Sequence, residues 1–147
     1  MAVIASMLDA GAAEIGVANR RAERVETVLR RFDGRIRAVA WEERHDTLSE
    51  CAMLINTTAL GMTGERPLEL SLERLPNNAI VTDIVYSPLR TPLLQEAANR
   101  GNPTVDGLGM LLYQAVRGFE IWFGRRPVVT QELYDLVAAD LDPNYQP

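Results

Sequence analysis

Short apolar runs of strand length alternate with longer helical segments, and this alternation constrains the fold more than any other feature. The runs Cys51–Asn56 and Ala79–Ile84 lack a polar/apolar alternation, which predicts strands buried on both faces, as in a parallel sheet. Glu14–Ala18 and Ile36–Trp41 are also predicted strands, and Thr104-Val105 is a minimal one. Strands that alternate with helices indicate right-handed crossovers, so we expect an α/β fold with a doubly wound, mostly parallel sheet.

The segments between these runs carry helix signals. Apolar residues at helical spacing predict a first helix that contains Val3, Ile4, Met7 and Leu8 and ends at Asp9-Ala10-Gly11, and further helices at Glu23–Phe32 and Gly107–Phe123. We also expect a polar, acidic helix at Glu42–Glu50, a short helical piece near Leu72–Leu75, and a helix at Leu93–Arg100 that Gly101 ends. Thr91-Pro92 has the form of an N-cap followed by a first-turn proline.

The Gly107–Phe123 segment is apolar on nearly all sides of its predicted helix. A helix of this kind is covered on two faces, whereas one sheet covers only one, so either another domain or another copy of the chain is expected on the second face. The alternative is a core helix in which Gln114 points to water. Both explanations remain open from the residues alone.

The composition fits one ordinary globular domain. The chain has 147 residues and is 47% hydrophobic and 24% charged, and we expect the domain to span residues 1–141 with a flexible tail at 142–147. Its net charge of −5 argues against nucleic acid or anionic membranes as partners, so any anion site must be local. We find no apolar run near the ~20 residues of a membrane span, and no secretory signal before the first helix.

The rare residue types exclude several kinds of chemistry. The single cysteine, Cys51, excludes an internal disulfide and fits a reducing cytoplasm. Together with the single histidine, His45, it cannot form a structural zinc site of the usual kind, so no metal is expected. All 15 basic residues are arginine, and without lysine the chain cannot use Schiff-base chemistry, a lysine acid/base or a Walker-type lysine.

Three arginines follow the first predicted strand where a helix should begin. Arg20, Arg21 and Arg24 come after Asn19, although the positive end of a helix dipole favours acidic residues in its first turn. Arg20 and Arg24 also repel each other at a spacing of four residues. An anion bound at this turn would reverse both penalties. The alternative is a solvated basic turn that Glu23 and Glu26 neutralise and that Asn19 caps.

Four groups of residues, taken together, resemble the C-terminal, NADP-binding domain of shikimate dehydrogenase. They are Ala10-Gly11-Ala12 with Val17-Ala18-Asn19-Arg20, Ile55-Asn56-Thr57-Thr58-Ala59-Leu60-Gly61-Met62, Asp83-Ile84-Val85-Tyr86-Ser87-Pro88 with Thr91-Pro92-Leu93-Leu94, and Asp106-Gly107-Leu108-Gly109-Met110-Leu111 with Gln114. The resemblance covers nearly the whole chain and implies a Rossmann-like fold.

The resemblance implies that Asn19, Arg20, Arg21 and Arg24 hold the adenosine 2′-phosphate of NADP. An NAD site of this type carries an acidic residue for the ribose hydroxyls, and arginine replaces it where a 2′-phosphate is bound. This agrees with the expectation of an anion site.

The resemblance also implies a nicotinamide site and part of a substrate site. The further cofactor-binding residues are Asn56, Thr57, Thr58, Ile84, Gly107 and Met110, and the substrate-binding residues are Tyr86 and Gln114. For Thr57, Thr58 and Tyr86, each taken singly, turn chemistry or a half-buried aromatic ring is the alternative explanation.

Parts of the family pattern are not found in these residues. The resemblance implies a substrate domain with a catalytic Lys and Asp, then a first Rossmann strand and a glycine-rich loop, so we expect the chain to begin inside the first helix of the family domain and to hold no catalytic residue. Without that strand, Glu14–Ala18 and Cys51–Asn56 would have open edges unless these edges close on each other or pair with another chain. Together with the apolar Gly107–Phe123 helix, this predicts a homodimer or a partner polypeptide.

Three functions stay open. The first is NADP-dependent reduction of 3-dehydroshikimate to shikimate, in aromatic amino acid biosynthesis, with little or no activity in the isolated chain. The second is a non-catalytic nucleotide-binding or assembly module derived from that enzyme. The third is a quinate/shikimate dehydrogenase relative that prefers quinate or uses NAD, against which Arg20 and Arg24 argue.

Overall fold

The computed structural model describes residues 1–32 and 34–146, in two compact units, Met1–Ser49 and Glu50–Pro147. The elements in chain order are α1 (Ala2–Asp9), β1 (Ile15–Ala18), α2 (Ala22–Arg31), β2 (Ile36–Val39), a 3-10 helix (Asp46–Glu50), β3 (Met53–Asn56), β4 (Ile80–Asp83), α3 (Pro92–Asn99), β5 (Thr104–Val105), α4 (Leu108–Phe123) and α5 (Gln131–Leu141). All five predicted strands are confirmed. The predicted turn at Asp33-Gly34 falls partly outside the described residues.

The first unit contains a two-stranded parallel sheet. β1 pairs with β2 from Ile15 opposite Ile36 to Ala18 opposite Val39. Helix α2 connects the two strands and buries Val25, which is 6% exposed. This strand, helix and parallel strand form one crossover unit, as the alternating pattern predicted.

The second unit contains a three-stranded parallel sheet in the order β3-β4-β5. Its middle strand supplies a fully buried Val81, and the surrounding loops and helices supply the other buried apolar side chains, which are Leu72, Leu75, Ala79, Val85, Leu89, Leu93, Leu94, Ala97, Leu108 and Ala138. The predicted α/β class with parallel strands is confirmed.

Helix α3 follows its predicted terminal signals. The hydroxyl of Thr91 accepts a hydrogen bond from the Leu94 N–H at 3.3 Å, and Pro92 occupies the first turn. Gly101 has a φ of +86°, a conformation that glycine adopts without strain and that allows the chain to leave the helix.

Two predicted helices differ from the structure, although Asp46–Glu50 within the first of them is a 3-10 helix. In place of a helix over Glu42–Glu50, hydrogen-bonded turns lead into the 3-10 helix, and near Leu72–Leu75 there is a single turn in which the Leu75 N–H donates to the Leu72 carbonyl. In the first segment the side chains of Arg44 and Thr47 donate to the carbonyls of Trp41 and Arg44, and the Arg44 guanidinium lies 4.3 Å from the Trp41 ring centroid. Such local bonds favour turns over a regular helix.

The burial on both faces predicted for the third strand is also wrong, and in β4 only Val81 and Asp83 are buried while Ile80 is 38% exposed. Only Asn56 of β3 is buried, and Met53 is 37% exposed. β3 pairs only with β4 among the described residues, so it lies at an edge of its sheet. Its apolar sequence resembles that of a central strand although its surroundings do not.

Helix α4 is confirmed, and α5 was missed by the sequence analysis. Helix α5 has the signals of a helix, because Thr130 caps the Leu133 N–H at 3.2 Å and Tyr134, Val137, Ala138 and Leu141 recur at helical spacing. Leu108 and Ala138 pack with Leu89 in one buried cluster. Most other side chains of α4 are not buried by the described residues, and Trp122 is 79% exposed.

Two tyrosine hydrogen bonds hold the end of the second unit. The Tyr134 hydroxyl donates to Asp106, and the Tyr145 hydroxyl donates to Asp135 at 2.7 Å. Burial and the hydrogen bond to Asp106 raise the pKa of Tyr134 well above its usual range. Tyr145 lies in the segment 142–147 that was predicted to be flexible, and its ring packs against that of Tyr134.

The Tyr134 hydrogen bond predicts a dependence of stability on pH. The unfolded chain loses the Tyr134 proton at about pH 10, whereas the folded chain retains it, so the folded state binds more protons and the free energy of unfolding falls as the pH rises past that value. Urea unfolding between pH 8 and 11 should show this fall, and Tyr134→Phe should reduce its slope. Tyr113→Phe is the control, because Tyr113 is 65% exposed. Equal slopes in the two variants would contradict the prediction.

Candidate functional site

Asn19 orders the turn that leads from β1 into α2. Its Oδ1 accepts a hydrogen bond from the Arg21 N–H at 3.0 Å, and Arg21 is the N-cap residue of α2. Asn19 therefore lies two residues before the N-cap of α2 and is not the cap itself. This corrects the alternative in which Asn19 caps the helix. The cap of α2 has no side-chain hydrogen bond, so the first turn of α2 has N–H groups available to an anion.

The side chains of the three arginines at this turn are not neutralised by ion pairs among the described residues. Arg20, Arg21 and Arg24 are exposed, and no ion pair between described residues includes any of them. Glu26, which the solvated-turn alternative assigned to neutralise them, lies 4.0 Å from Arg30 instead. The carboxyl end of β1 is therefore a local basic patch on a chain whose net charge is −5.

A buried polar cluster lies at the carboxyl ends of β3 and β4. Asn56 is 4% exposed, Asp83 is 1% exposed and Thr91 is fully buried. The Asn56 amide donates to Asp83 Oδ1 at 3.0 Å, and the Thr91 hydroxyl donates to Asp83 Oδ2 at 2.8 Å. Burial of polar groups is stable here because each has a partner.

Asn56 also shapes the loop that follows β3. Its Oδ1 accepts from both the N–H and the hydroxyl of Thr58, at 3.0 Å and 2.8 Å, and its amide donates to the Leu60 carbonyl at 3.1 Å. Thr58 therefore has the turn role that was its alternative explanation. Thr57, the residue between them, is exposed.

The predicted nicotinamide residues Ile84 and Gly107 lie against each other. A Cβ built on Gly107 would overlap the Ile84 carbonyl group and lie 2.7 Å from the Val85 carbonyl oxygen. The φ of Gly107 is −81°, so glycine is required by this close approach and not by its backbone conformation. The Ile84 N–H donates to the Asn56 carbonyl at 3.0 Å, which brings Asn56, Ile84 and Gly107 into one cluster.

The remaining predicted residues lie on the surface of the second unit. Met110 and Gln114 follow Gly107 on one face of α4, and Met110 is 40% exposed. Tyr86 is 37% exposed and follows Ile84 by two residues. These side chains are accessible to a ligand.

The sequence analysis missed Asp83 and Thr91 as members of the cluster. A signal was present, because an acidic residue near the end of a buried-type strand needs a partner. The described residues contain no group of three or more His, Cys, Asp or Glu side chains suited to a metal ion. Within the same residues, every helix is too short or too polar to cross a membrane.

Comparisons with known proteins identify the relatives of this chain. A family model described as the shikimate 5'-dehydrogenase C-terminal domain matches residues 107–129. The shikimate dehydrogenase (NADP(+)) of Paramagnetospirillum magneticum is 54% identical over 132 residues, which are 90% of this chain and 48% of that protein. The chain is homologous to part of shikimate dehydrogenase. It spans about half the length of the curated relatives it matches.

Solved structures agree with the fold of this chain. Quinate dehydrogenase from Corynebacterium glutamicum in complex with NAD has a TM-score of 0.85 over 94% of this chain and 50% of its own, at 24% identity, and supports the fold alone. Shikimate 5-dehydrogenase from Thermus thermophilus, in complex with NADP(H) and shikimate, has a TM-score of 0.72 at 29% identity, covering 92% of this chain and 48% of that one. The predicted resemblance is confirmed.

The close approach at Gly107 predicts that alanine substitutions at two glycines of this chain change its stability unequally. Gly107→Ala should lower the free energy of unfolding by about 1–3 kcal/mol, because the new methyl group must displace the backbone at Ile84. Gly109→Ala is the matched control, since a Cβ there meets nothing within 4 Å and alanine favours a helix. Urea unfolding measures both, and a Gly107→Ala variant as stable as the wild type would refute the close contact.

Proposed function

We propose that this chain is the NADP-binding portion of a shikimate dehydrogenase. The activity is the reduction of 3-dehydroshikimate to shikimate in aromatic amino acid biosynthesis, with the hydride supplied by NADPH. The observation that carries the proposal is the basic turn at the carboxyl end of β1, where Arg20, Arg21 and Arg24 lack ion-pair partners among the described residues. The homology to NADP(+)-named relatives supports the same choice.

The 2′-phosphate is the group that this turn recognises in our proposal. Arg20, Arg21 and Arg24 offer guanidinium groups, which bind phosphate through charge-assisted hydrogen bonds. The ribose hydroxyls of NAD are neutral and are bound better by a carboxylate. The nearest acidic residue in sequence is Glu23, which lies within the first turn of α2 and follows Arg20 and Arg21. NADP is therefore favoured over NAD.

The second unit contributes to the nicotinamide and substrate sites in this proposal. The nicotinamide end contacts Asn56, Thr57, Thr58, Ile84, Gly107 and Met110, and the substrate contacts Tyr86 and Gln114. The cluster of Asn56, Ile84 and Gly107 at the carboxyl ends of β3 and β4 supports this assignment, because open α/β sheets bind ligands there.

These residues bind and orient but do not complete the chemistry. The chain has no lysine among its 15 basic residues, so the catalytic lysine implied by the family resemblance cannot come from it. We therefore propose that the isolated chain has little or no turnover, because it lacks a positioned proton donor. A cytoplasmic location fits its single cysteine.

Two alternatives differ in measurable ways. A non-catalytic nucleotide-binding or assembly module would bind NADP yet remain inactive when supplied with the rest of a homologous enzyme. A quinate/shikimate dehydrogenase relative would turn over quinate in that complemented assay. The arginine turn argues against an NAD-dependent relative.

The basic turn predicts cofactor selectivity. Arg20→Ala combined with Arg24→Ala should weaken NADP binding about 10- to 100-fold, or about 1.4–2.7 kcal/mol, because two exposed guanidinium groups would no longer bind the 2′-phosphate, and should change NAD binding little. Titration calorimetry measures both affinities. Arg30→Ala with Arg31→Ala is the control, since it removes the same charge from the last turn of α2. An equal loss for NADP and NAD would show that the phosphate is bound elsewhere.

The exposed apolar side chains of α4 support a further partner, which we propose is a second polypeptide. These side chains include Tyr113, Phe119, Ile121, Trp122 and Phe123, with exposed fractions between 43% and 79%. Several large apolar side chains exposed on one helix are typical of an interface with a further domain or a second copy. For the isolated chain the available partner is another copy.

The α4 surface predicts self-association of the isolated chain. Analytical ultracentrifugation should detect a dimer at micromolar concentration, and Trp122→Glu should shift it to monomer by placing a charge in the apolar face. Val128→Glu is the control, because Val128 is 77% exposed and lies outside α4. A wild-type chain that stays monomeric at 100-fold higher concentration would contradict a homodimer at this face.

A further inference from the structure

The Asp83 carboxylate joins three segments of the second unit. Oδ1 accepts from the Asn56 amide and from the Val85 N–H, each at 3.0 Å, and Oδ2 accepts from the Thr91 hydroxyl at 2.8 Å. With 1% of its surface exposed, Asp83 has almost no contact with water. Its two oxygens thus have distinct partners, with Asn56 and the Val85 N–H on Oδ1 and Thr91, the N-cap of α3, on Oδ2.

The Oδ1 contacts fix the two loops that hold the proposed nicotinamide residues. The Asn56 amide nitrogen donates to Asp83 Oδ1. The Asn56 amide oxygen accepts from both the N–H and the hydroxyl of Thr58. The Val85 N–H lies between Ile84, which contacts Gly107, and Tyr86. Without an acceptor at Oδ1 the buried Val85 N–H would lose a partner, and the backbone would move to find another.

We propose that Asp83 is a positioning residue for the nicotinamide half of NADP, acting through Asn56 and the Ile84–Tyr86 segment. The inference rests on the proposed function and assigns a role to a residue that does not touch the ligand. If Asp83 had a purely structural role, its replacement would lower the stability of the second unit. The ratio between the affinity for NADP and the affinity for a ligand without nicotinamide would not change.

The experiment compares two ligands. NADP carries the 2′-phosphate and the nicotinamide, whereas adenosine 2′,5′-bisphosphate carries the 2′-phosphate but no nicotinamide. Asp83→Ala should weaken NADP about 10-fold or more and adenosine 2′,5′-bisphosphate less than about 2-fold, because only the nicotinamide contacts depend on Oδ1 in this proposal. Calorimetry is performed on the full chain well below the unfolding midpoint.

Two further variants separate positioning from stability. Asp83→Asn keeps an acceptor at Oδ1 and can donate to the Thr91 oxygen, so NADP affinity should return to within about 3-fold of wild type. Thr130→Val removes the cap of α5, away from this cluster, and should lower the unfolding midpoint while leaving both affinities unchanged. If Asp83→Ala does not fold, Asp83→Ser is used in its place. The serine side chain has one oxygen and is too short to accept hydrogen bonds from both Asn56 and Thr91.

Specific outcomes overturn the proposal. Equal weakening of NADP and adenosine 2′,5′-bisphosphate in the Asp83 variant, or no weakening of either, would make Asp83 a structural residue only. A wild-type chain that binds neither ligand would refute the proposed function itself. Binding of both ligands by wild type with the same affinity would refute a nicotinamide site in the second unit while leaving the arginine turn intact.

Discussion

The parallel pairing of β3 with β4 is the constraint on which the rest of the second unit depends. The register places Asn56 opposite Asp83 at the last pair of the ladder. Because side chains alternate between the faces of a sheet, a shift by one residue would separate these two side chains and leave a buried carboxylate without its partner. The loops after both strands therefore inherit their positions from one hydrogen-bonded pair.

The close contact at Gly107 depends on the same pairing. The end of β4 fixes the Ile84 and Val85 carbonyls, and only a residue without a side chain can begin α4 against them. Leu108, the next residue, is fully buried with Leu89 and Ala138, so α4 is anchored through its first turn. Leu108 is the buried residue of α4, so most of the surface of this apolar helix stays exposed in its later turns.

Local signals account for the parts of the fold that were predicted. The strands, the Thr91-Pro92 start of α3 and the arginine turn could be found because their residues are neighbours in sequence. The predicted Glu42–Glu50 helix starts instead with turns, in which the Arg44 side chain donates to the Trp41 carbonyl, and only Asp46–Glu50 is helical. The Asp83 network and the Gly107 contact join residues 27 and 23 positions apart, and no local pattern shows such pairs.

The arginine turn combines two features that oppose folding unless an anion is present. Three like charges gather at the positive end of a helix dipole, and the helix has no side-chain cap to satisfy its first N–H groups. The alternative of simple neutralisation weakens because Glu26 pairs with Arg30. The chain has a net charge of −5, yet three of its basic residues are concentrated where β1 ends. A phosphate bound there would reverse both unfavourable effects, and a neutral ribose would relieve neither, so the physical reason for the turn is also the reason to favour NADP.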